Sequence, residues 1–249
     1  MITDRMAAVL ARLHLGQDQN LAAACADALE VDGVSLSLTV AGPGAELIWS
    51  FGKDSVLVEE LQFTLGEGPA ADTVRTGAPI TVPDVRTAPP GRWPALRASM
   101  AELELSVGGL FCFPLRLGAI HLGVLTAVSA TPGPLRETQT ADALALASAL
   151  TAWYLGGAGA EPNGATGTGL RGGPGTGVPA ELHRAEVHQA TGMVSVQLEV
   201  SLAEALLRLR AYAYSHARPL HEVAGDVVAR RLRLPTDTDT PSSSENREG

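Results

Sequence analysis

Three side chains at intervals of four, Arg210, Tyr214 and Arg218, are the residues whose types and spacing could act on another molecule. On a helix they fall along one edge, with Arg208 across the outer surface from them. A guanidinium pairs with phosphate oxygens two at a time and stacks on bases, and a tyrosine ring between two guanidiniums adds another stacking platform. That combination suits unpaired bases in an RNA loop. The same spacing also describes a solvated helix edge with a tyrosine lying along it, which is the commoner use of such residues.

The elements that must position this edge are three helices between residues 180 and 234. The first follows Pro179, a residue suited to a helix start, and runs to about Leu198. Ser201 and Glu204 then have the spacing of a capping box, in which each side chain satisfies an orphan backbone N–H of the other. The helix they open carries Leu202, Ala205, Leu206, Leu209 and Ala213 at steps of three and four. Pro219 separates it from a third helix with Leu220, Val223, Ala224 and Val227 in the same period. Three amphipathic helices with short joints make a small bundle. The first helix is apolar on two sides: Leu182, Ala185, Met193 and Val196, with Gln189 among them, form one stripe, and Val187, Ala190, Val194 and Leu198 form another. One stripe is expected to close the bundle and the other to meet a second subunit or the amino-terminal domain.

The run His188-Gln189-Ala190-Thr191-Gly192-Met193, followed by Ser201, Ala205, Leu209-Arg210 and Ala213, then by Leu220, Val223-Ala224 and Val227, resembles an ANTAR domain. This is the RNA-binding module of transcription antitermination regulators. The resemblance covers about fifty residues. It implies binding to paired hairpins of a leader transcript, usually by a dimer, so that a terminator does not form.

Earlier in the chain, one or two helices are expected over residues 2–29. Val34–Val40 alternates like a half-buried strand and Ala45–Phe51 returns after the turn Ala41-Gly42-Pro43-Gly44. A helix capped by Asp54 or Ser55 should run through Leu61. A short helix at Ala70–Arg75, a brief strand at Pro79–Val82, a helix at Trp93–Leu103, strands at Val107–Leu117 and Ala119–Val128, and an alanine-rich helix at Gln139–Leu155 complete the unit. An antiparallel sheet with helices on its faces is an α+β domain. This order, with Leu65-Gly66-Glu67-Gly68-Pro69, Pro83-Asp84-Val85, Trp93-Pro94, Pro114-Leu115 and Leu122-Gly123-Val124-Leu125, resembles a GAF domain over nearly all of residues 15–155. The resemblance implies a small-molecule or redox sensor. The Asn-Lys pair of its cyclic-nucleotide-responsive members is missing, since Lys53, the only lysine, follows Gly52, so the cofactor or effector is unknown. Phe63, Trp93 and Phe113 are candidate walls of a ligand pocket between sheet and helices, with core packing as the alternative.

The expected organisation is a GAF-like α+β sensor at 1–155, a linker at 156–179, an all-α three-helix bundle at 180–234 and a disordered tail at 235–249. The linker has ten glycines and three prolines in twenty-four residues. It cannot form a core and spans roughly 25–30 Å as a flexible chain. Its Gly167-x-Gly-x-x-Gly172 run lacks the strand and helix that would aim glycines at a nucleotide. The net charge of −9 divides as −7, 0, +1 and −3 over the four segments, so only the helical module is above neutral, and all seven of its cations are arginine. Such weak excess predicts modest affinity for nucleic acid. Cys25 and Cys112 are far apart in apolar surroundings and are expected to be buried free thiols. No run is apolar enough for a membrane span and no signal peptide is evident, which points to the cytoplasm and no membrane partner. The histidines have no metal spacing, and no nucleophile elbow, Walker loop or His-Glu-x-x-His occurs, so an enzyme is not expected. The partners expected are leader-transcript RNA hairpins, a second copy of the chain and a small-molecule effector. The alternative is a ligand-sensing dimerisation scaffold that binds protein and not nucleic acid; a helix-turn-helix DNA binder is disfavoured by Glu222 and Asp226 on the third helix.

Overall fold

The computed structural model describes residues 1–15, 20–39, 46–89, 91–156, 179–216 and 218–235. The chain divides into two compact units, Met1–Ala180 and Glu181–Gly249. The expected turn at 41–44, the linker from 157 to 178 and the tail from 236 lie outside the described residues.

In the first unit α1 (Asp4–His14) and α2 (Leu21–Leu29) precede the hairpin β1 (Gly33–Leu38) and β2 (Glu46–Phe51). Then come α3 (Lys53–Leu65), α4 (Pro69–Thr76), β3 (Ile80–Val82), α5 (Pro94–Glu102), β4 (Gly109–Leu117), β5 (Ile120–Ser129) and α6 (Glu137–Leu155). The strands form one antiparallel sheet in the order β2-β1-β5-β4-β3. Two details differ from expectation. Helix α3 starts at Lys53 after Gly52, because the Asp54 carboxylate accepts from the Ser106 backbone N–H at 3.2 Å and Ser55 is buried, so neither caps it. It also runs one turn past Leu61, to Gly66, whose φ of 69° is the left-handed conformation that ends helices without a Cβ clash.

Side chains alternate across the sheet, so its two faces differ in chemistry. Val34, Leu36 and Leu38 of β1, Phe111, Phe113 and Leu115 of β4, and Leu125 and Ala127 of β5 form an apolar core with Met6, Cys25, Leu29, Leu146 and Leu150 of the terminal helices. The opposite face lies beneath α3, α4 and α5. Its apolar part joins Val58, Trp93, Leu96 and Met100 to Leu110 and Val128. A second, smaller apolar cluster joins Ala70 of α4 to Cys112 and Val124, and buried polar side chains share the same face.

Buried Asp142 on α6 fastens the amino terminus. Its carboxylate accepts from the Thr3 backbone N–H at 2.9 Å and from the Thr3 hydroxyl at 2.6 Å, while the same hydroxyl accepts from the Met6 N–H and caps α1. Loss of both bonds leaves a cap group without its partner. Asp142→Ala should therefore lower stability by about 1–3 kcal/mol. The measurement is the urea midpoint of tryptophan fluorescence, since Trp49, Trp93 and Trp153 all belong to this unit.

The second unit contains α7 (Pro179–Leu198), α8 (Leu202–Ser215) and α9 (Leu220–Val228), with α7 side chains described from residue 184. Val187, Ala190 and Val194 of α7, Ala205, Leu206, Leu209 and Ala213 of α8, and Leu220, Val223, Ala224 and Val227 of α9 are buried. Of the two α7 stripes it is thus the one through Ala190 that is covered, while Ala185, Gln189 and Val196 are exposed. The fold continues past α9. Arg230 adopts φ 59°, Leu234 is buried, and the Gln197 amide of α7 donates to the Leu234 carbonyl at 2.8 Å.

Candidate nucleic-acid interface

The Ser201 hydroxyl accepts from the Glu204 N–H at 3.2 Å and starts α8. Only half of the expected capping box forms. The Glu204 side chain turns along the helix and accepts from Arg208 Nε at 3.0 Å. Arg208 is thus engaged in an i,i+4 ion pair on the outer surface.

The other three nominated residues do not form one open edge. Tyr214 is open, with 81% of its surface exposed. Leu207, seven residues earlier and so on the same face, is exposed with it. Arg210 is half-buried, and burial pushes its guanidinium down to about 10, which leaves it cationic at neutral pH. The reason is helical geometry: at 100° per residue Arg210 falls between Leu206 and Tyr214, on the margin of the buried stripe. Arg218 lies beyond the end of α8 at Ser215, so the four-residue step no longer carries it along the same helix. Its Nη2 donates to Asp226 Oδ2 at 2.7 Å and is 3.9 Å from Glu222 Oε2. The Asp226 bond, with the attraction of both carboxylates, holds the Arg218 guanidinium above its ordinary range.

Asp226 is shared. Its other oxygen accepts from Arg231 Nε at 2.8 Å, and its backbone carbonyl accepts from the N–H groups of Arg231 and Leu232. Hydrogen bonds from Arg218, then Arg231, hold the Asp226 carboxyl below its ordinary value of 3.8. Two residues after Arg231 and one before it, Arg233 and Arg230 are exposed. In the sequence the signal for them is the alternation of Arg231 and Arg233 with Leu232 and Leu234 past the helix end. The aromatic neighbour Tyr212 is occupied, since its ring stacks on His216 at 3.9 Å and its carbonyl lies 2.9 Å from His216 Nδ1.

Phe63, Trp93 and Phe113 do not line one wall together in the first unit, since Phe113 and Trp93 lie on opposite faces of the sheet. Phe113 lies in the apolar core on the α6 side of the sheet, because it alternates with Cys112, which faces the other way. Trp93 packs with Val58 and Leu96 on the opposite face and donates its indole N–H to Asp72 at 3.2 Å, while the Arg92 guanidinium sits 4.2 Å from its ring centre. Phe63 is buried on α3.

The polar chemistry of that face is elsewhere. Ser50, Ser35, Thr126 and Cys112 are successive register partners across β2, β1, β5 and β4, a row of small hydroxyl and thiol groups. Above it Glu59, 4% exposed, accepts from the Ser35 hydroxyl with one oxygen and from the Ser37 hydroxyl with the other, each at 2.9 Å. Gln62 accepts from the Ala70 N–H with its carbonyl oxygen. Its amide nitrogen and the hydroxyls of Ser50, Ser55 and Thr73 have no partner among the described residues, although all are buried. Buried polar groups are normally satisfied, and a set of unsatisfied ones marks a place built for more than packing. The sequence hid it because isolated serines in an alternating strand read as a solvent face.

Comparison with known proteins bears on both units. The family model described as "ANTAR domain" matches residues 180–228. Residues 180–228 form an ANTAR domain. Solved structures similar to the chain include the GAF domain of a phosphoenolpyruvate-protein phosphotransferase from Coxiella burnetii, at 20% identity and TM-score 0.49 over 63% of this chain and 98% of that one. The GAF-B domain of DevS from Mycobacterium smegmatis is similar at 18% identity and TM-score 0.41, over 59% and 96%. Free methionine-R-sulfoxide reductase from Neisseria meningitidis, solved with its substrate, is similar at 20% identity and TM-score 0.47, over 65% and 96%. Comparison with curated proteins gives no match. The first unit has the five-stranded antiparallel sheet, element order and flanking helices expected of a GAF domain. No single described helix is long and apolar enough to cross a membrane.

Both cysteines are buried and free, as expected. Burial pushes the Cys25 thiol up to about 12 and raises Cys112 as well. Neither should react with a water-soluble disulfide reagent at pH 8 until urea unfolds the chain, because the attacking species is the thiolate. For Asp226 the sign runs the other way. A folded value below 3.8 means its stabilising link is complete above that pH and is lost as the pH falls through the folded value. Of any loss in helical circular dichroism below about pH 4, Asp226→Asn should remove only the share that depends on this link, while the lowered carboxyls of Glu30, Asp72 and Asp84 keep theirs.

Proposed function

We propose that the chain is an RNA-binding regulator of transcription. In this reading the ANTAR domain binds hairpin loops in a leader transcript and favours antitermination, and the GAF-like unit senses a small molecule. The observation that carries the reading is the open ring of Tyr214, beside Leu207, on the second helix of the ANTAR domain. A solvent-facing ring is what an unpaired base needs for stacking, and Tyr214 is not the ring already stacked on His216. Arg210, cationic though half-buried, flanks it. On this reading Arg208 and Arg218 contribute less, since each meets a carboxylate at the surface.

The open α7 stripe of Ala185, Gln189 and Val196 supports a homodimer, in which two modules engage two hairpins and raise affinity by effective concentration. The buried polar set around Glu59 supports a sensor for a small molecule with hydrogen-bonding groups. Buried thiols with raised pKa favour this over redox sensing. No catalytic step and no membrane association is part of the proposal, and the expected compartment is the cytoplasm. The Gly/Pro-rich composition of 156–179 favours control by occlusion or proximity over a shift passed along one rigid helix.

A second reading, a dimerising scaffold that contacts protein alone, is favoured by Val196, which is 81% exposed on the open α7 stripe. Anisotropy of a labelled synthetic RNA with two stem-loops separates the two. The wild-type chain should bind with a Kd below 100 μM, and Tyr214→Ala should weaken binding by roughly 5- to 100-fold, the loss of about one stacked base. Absence of wild-type binding below about 100 μM at ~100 mM salt would favour the scaffold.

A further inference from the structure

We infer that the turn after α9 is a separate contact for RNA phosphates, made by Arg230 and Arg233. The inference rests on the RNA-binding reading and extends it to residues beyond the matched 180–228. Three observations carry it.

The turn is built and held. Arg230 is a non-glycine residue in the left-handed conformation at φ 59°. The Asp226 carbonyl accepts from the Arg231 N–H at 2.8 Å and the Leu232 N–H at 3.1 Å, Leu234 is buried, and its carbonyl is tied to Gln197. A segment ordered before binding loses less conformational entropy on binding than a loose tail. The same anchors leave the two arginine side chains in solvent.

The cations nearest the stacking ring are largely compensated. Arg208 meets Glu204, Arg210 is half-buried, and Arg218 and Arg231 share Asp226 with Glu222 close by. Two arginines against two carboxylates at that junction leave no excess charge to attract phosphate. The excess has to come from Arg230 and Arg233, whose guanidiniums present the planar fork that phosphate oxygens accept in pairs.

Position completes the argument. Because Arg218 and Arg231 are joined through Asp226, the turn adjoins the end of α8, whose last turn carries Tyr214. A loop base on that ring and the backbone on the two arginines divide recognition between stacking and charge.

The experiment is binding of the full chain to the same two-stem-loop RNA in a potassium chloride series from about 50 to 300 mM. Each phosphate contact contributes about 0.7–0.9 to the slope of log K against log salt, so Arg230→Gln with Arg233→Gln should reduce that slope by roughly 1.4–1.8 and weaken binding about tenfold or more at ~100 mM salt. Arg230→Lys with Arg233→Lys should keep most of the slope, since a lysine still displaces a counterion. Tyr214→Ala should lower affinity with the slope unchanged. If the wild type binds and the glutamine pair has the same affinity and slope, the turn is not a phosphate contact although the RNA reading stands. If the lysine pair loses as much slope as the glutamine pair, the arginines act through the shape of the turn and the inference is overturned. If the wild type does not bind, both readings fail together.

Discussion

One residue, whose carboxylate takes two guanidiniums and whose backbone carbonyl takes two N–H groups, decides how the end of the ANTAR domain is arranged. Asp226 accepts from Arg218, which follows α8, and from Arg231, which follows α9, while its own carbonyl receives the chain as it leaves the helix. These bonds tie the end of the second helix, the third helix and the following turn together. Without them the two arginines would be long side chains on separate loops. Each bond is partly exposed and modest by itself. Their effect comes from meeting at one residue and being helped by the burial of Leu234 a few residues on.

This arrangement changes what the charge of the module means. Seven arginines against six acidic residues look nearly neutral, and counted as a sum they argue against nucleic acid. In the folded state the charges are sorted. Those around Asp226 and Glu204 hold the structure, and those at the turn remain in solvent. The stacking surface is sorted in the same way, one tyrosine closed on a histidine and the other open. A module of low net charge can therefore still present a local cationic and aromatic surface.

Much of the architecture was legible in the sequence because it follows from period and punctuation. The strand at Val34–Val40, the glycines after Leu65 and the apolar steps of Leu220, Val223, Ala224 and Val227 are met by the structure over the described residues, except that β1 is buried on both faces where alternation suggested one. The candidate interface was legible only in part. A four-residue step places side chains on one edge only while the helix lasts, and α8 stops before Arg218. It also does not say how wide the buried stripe is, and Arg210 falls on its margin. Among the candidate pocket walls, Phe113 parts from Trp93 for a different reason. Phe113 and Cys112 are neighbours in the chain on opposite sides of the sheet, and which side meets α3 depends on contacts far away in sequence. The polar row from Ser50 to Cys112 is assembled from four strands, so no single segment displays it.

The place where the module ends as a folded object is set by Leu234, whose buried side chain comes six residues after the last helical residue, Val228. A fragment excised at the helix terminus would lose the buried Leu234 side chain and leave an amide on Gln197 without the carbonyl it donates to. The natural boundary of this three-helix unit is thus a hydrophobic stopper with its cationic flanks, and the helices alone are an incomplete version of it.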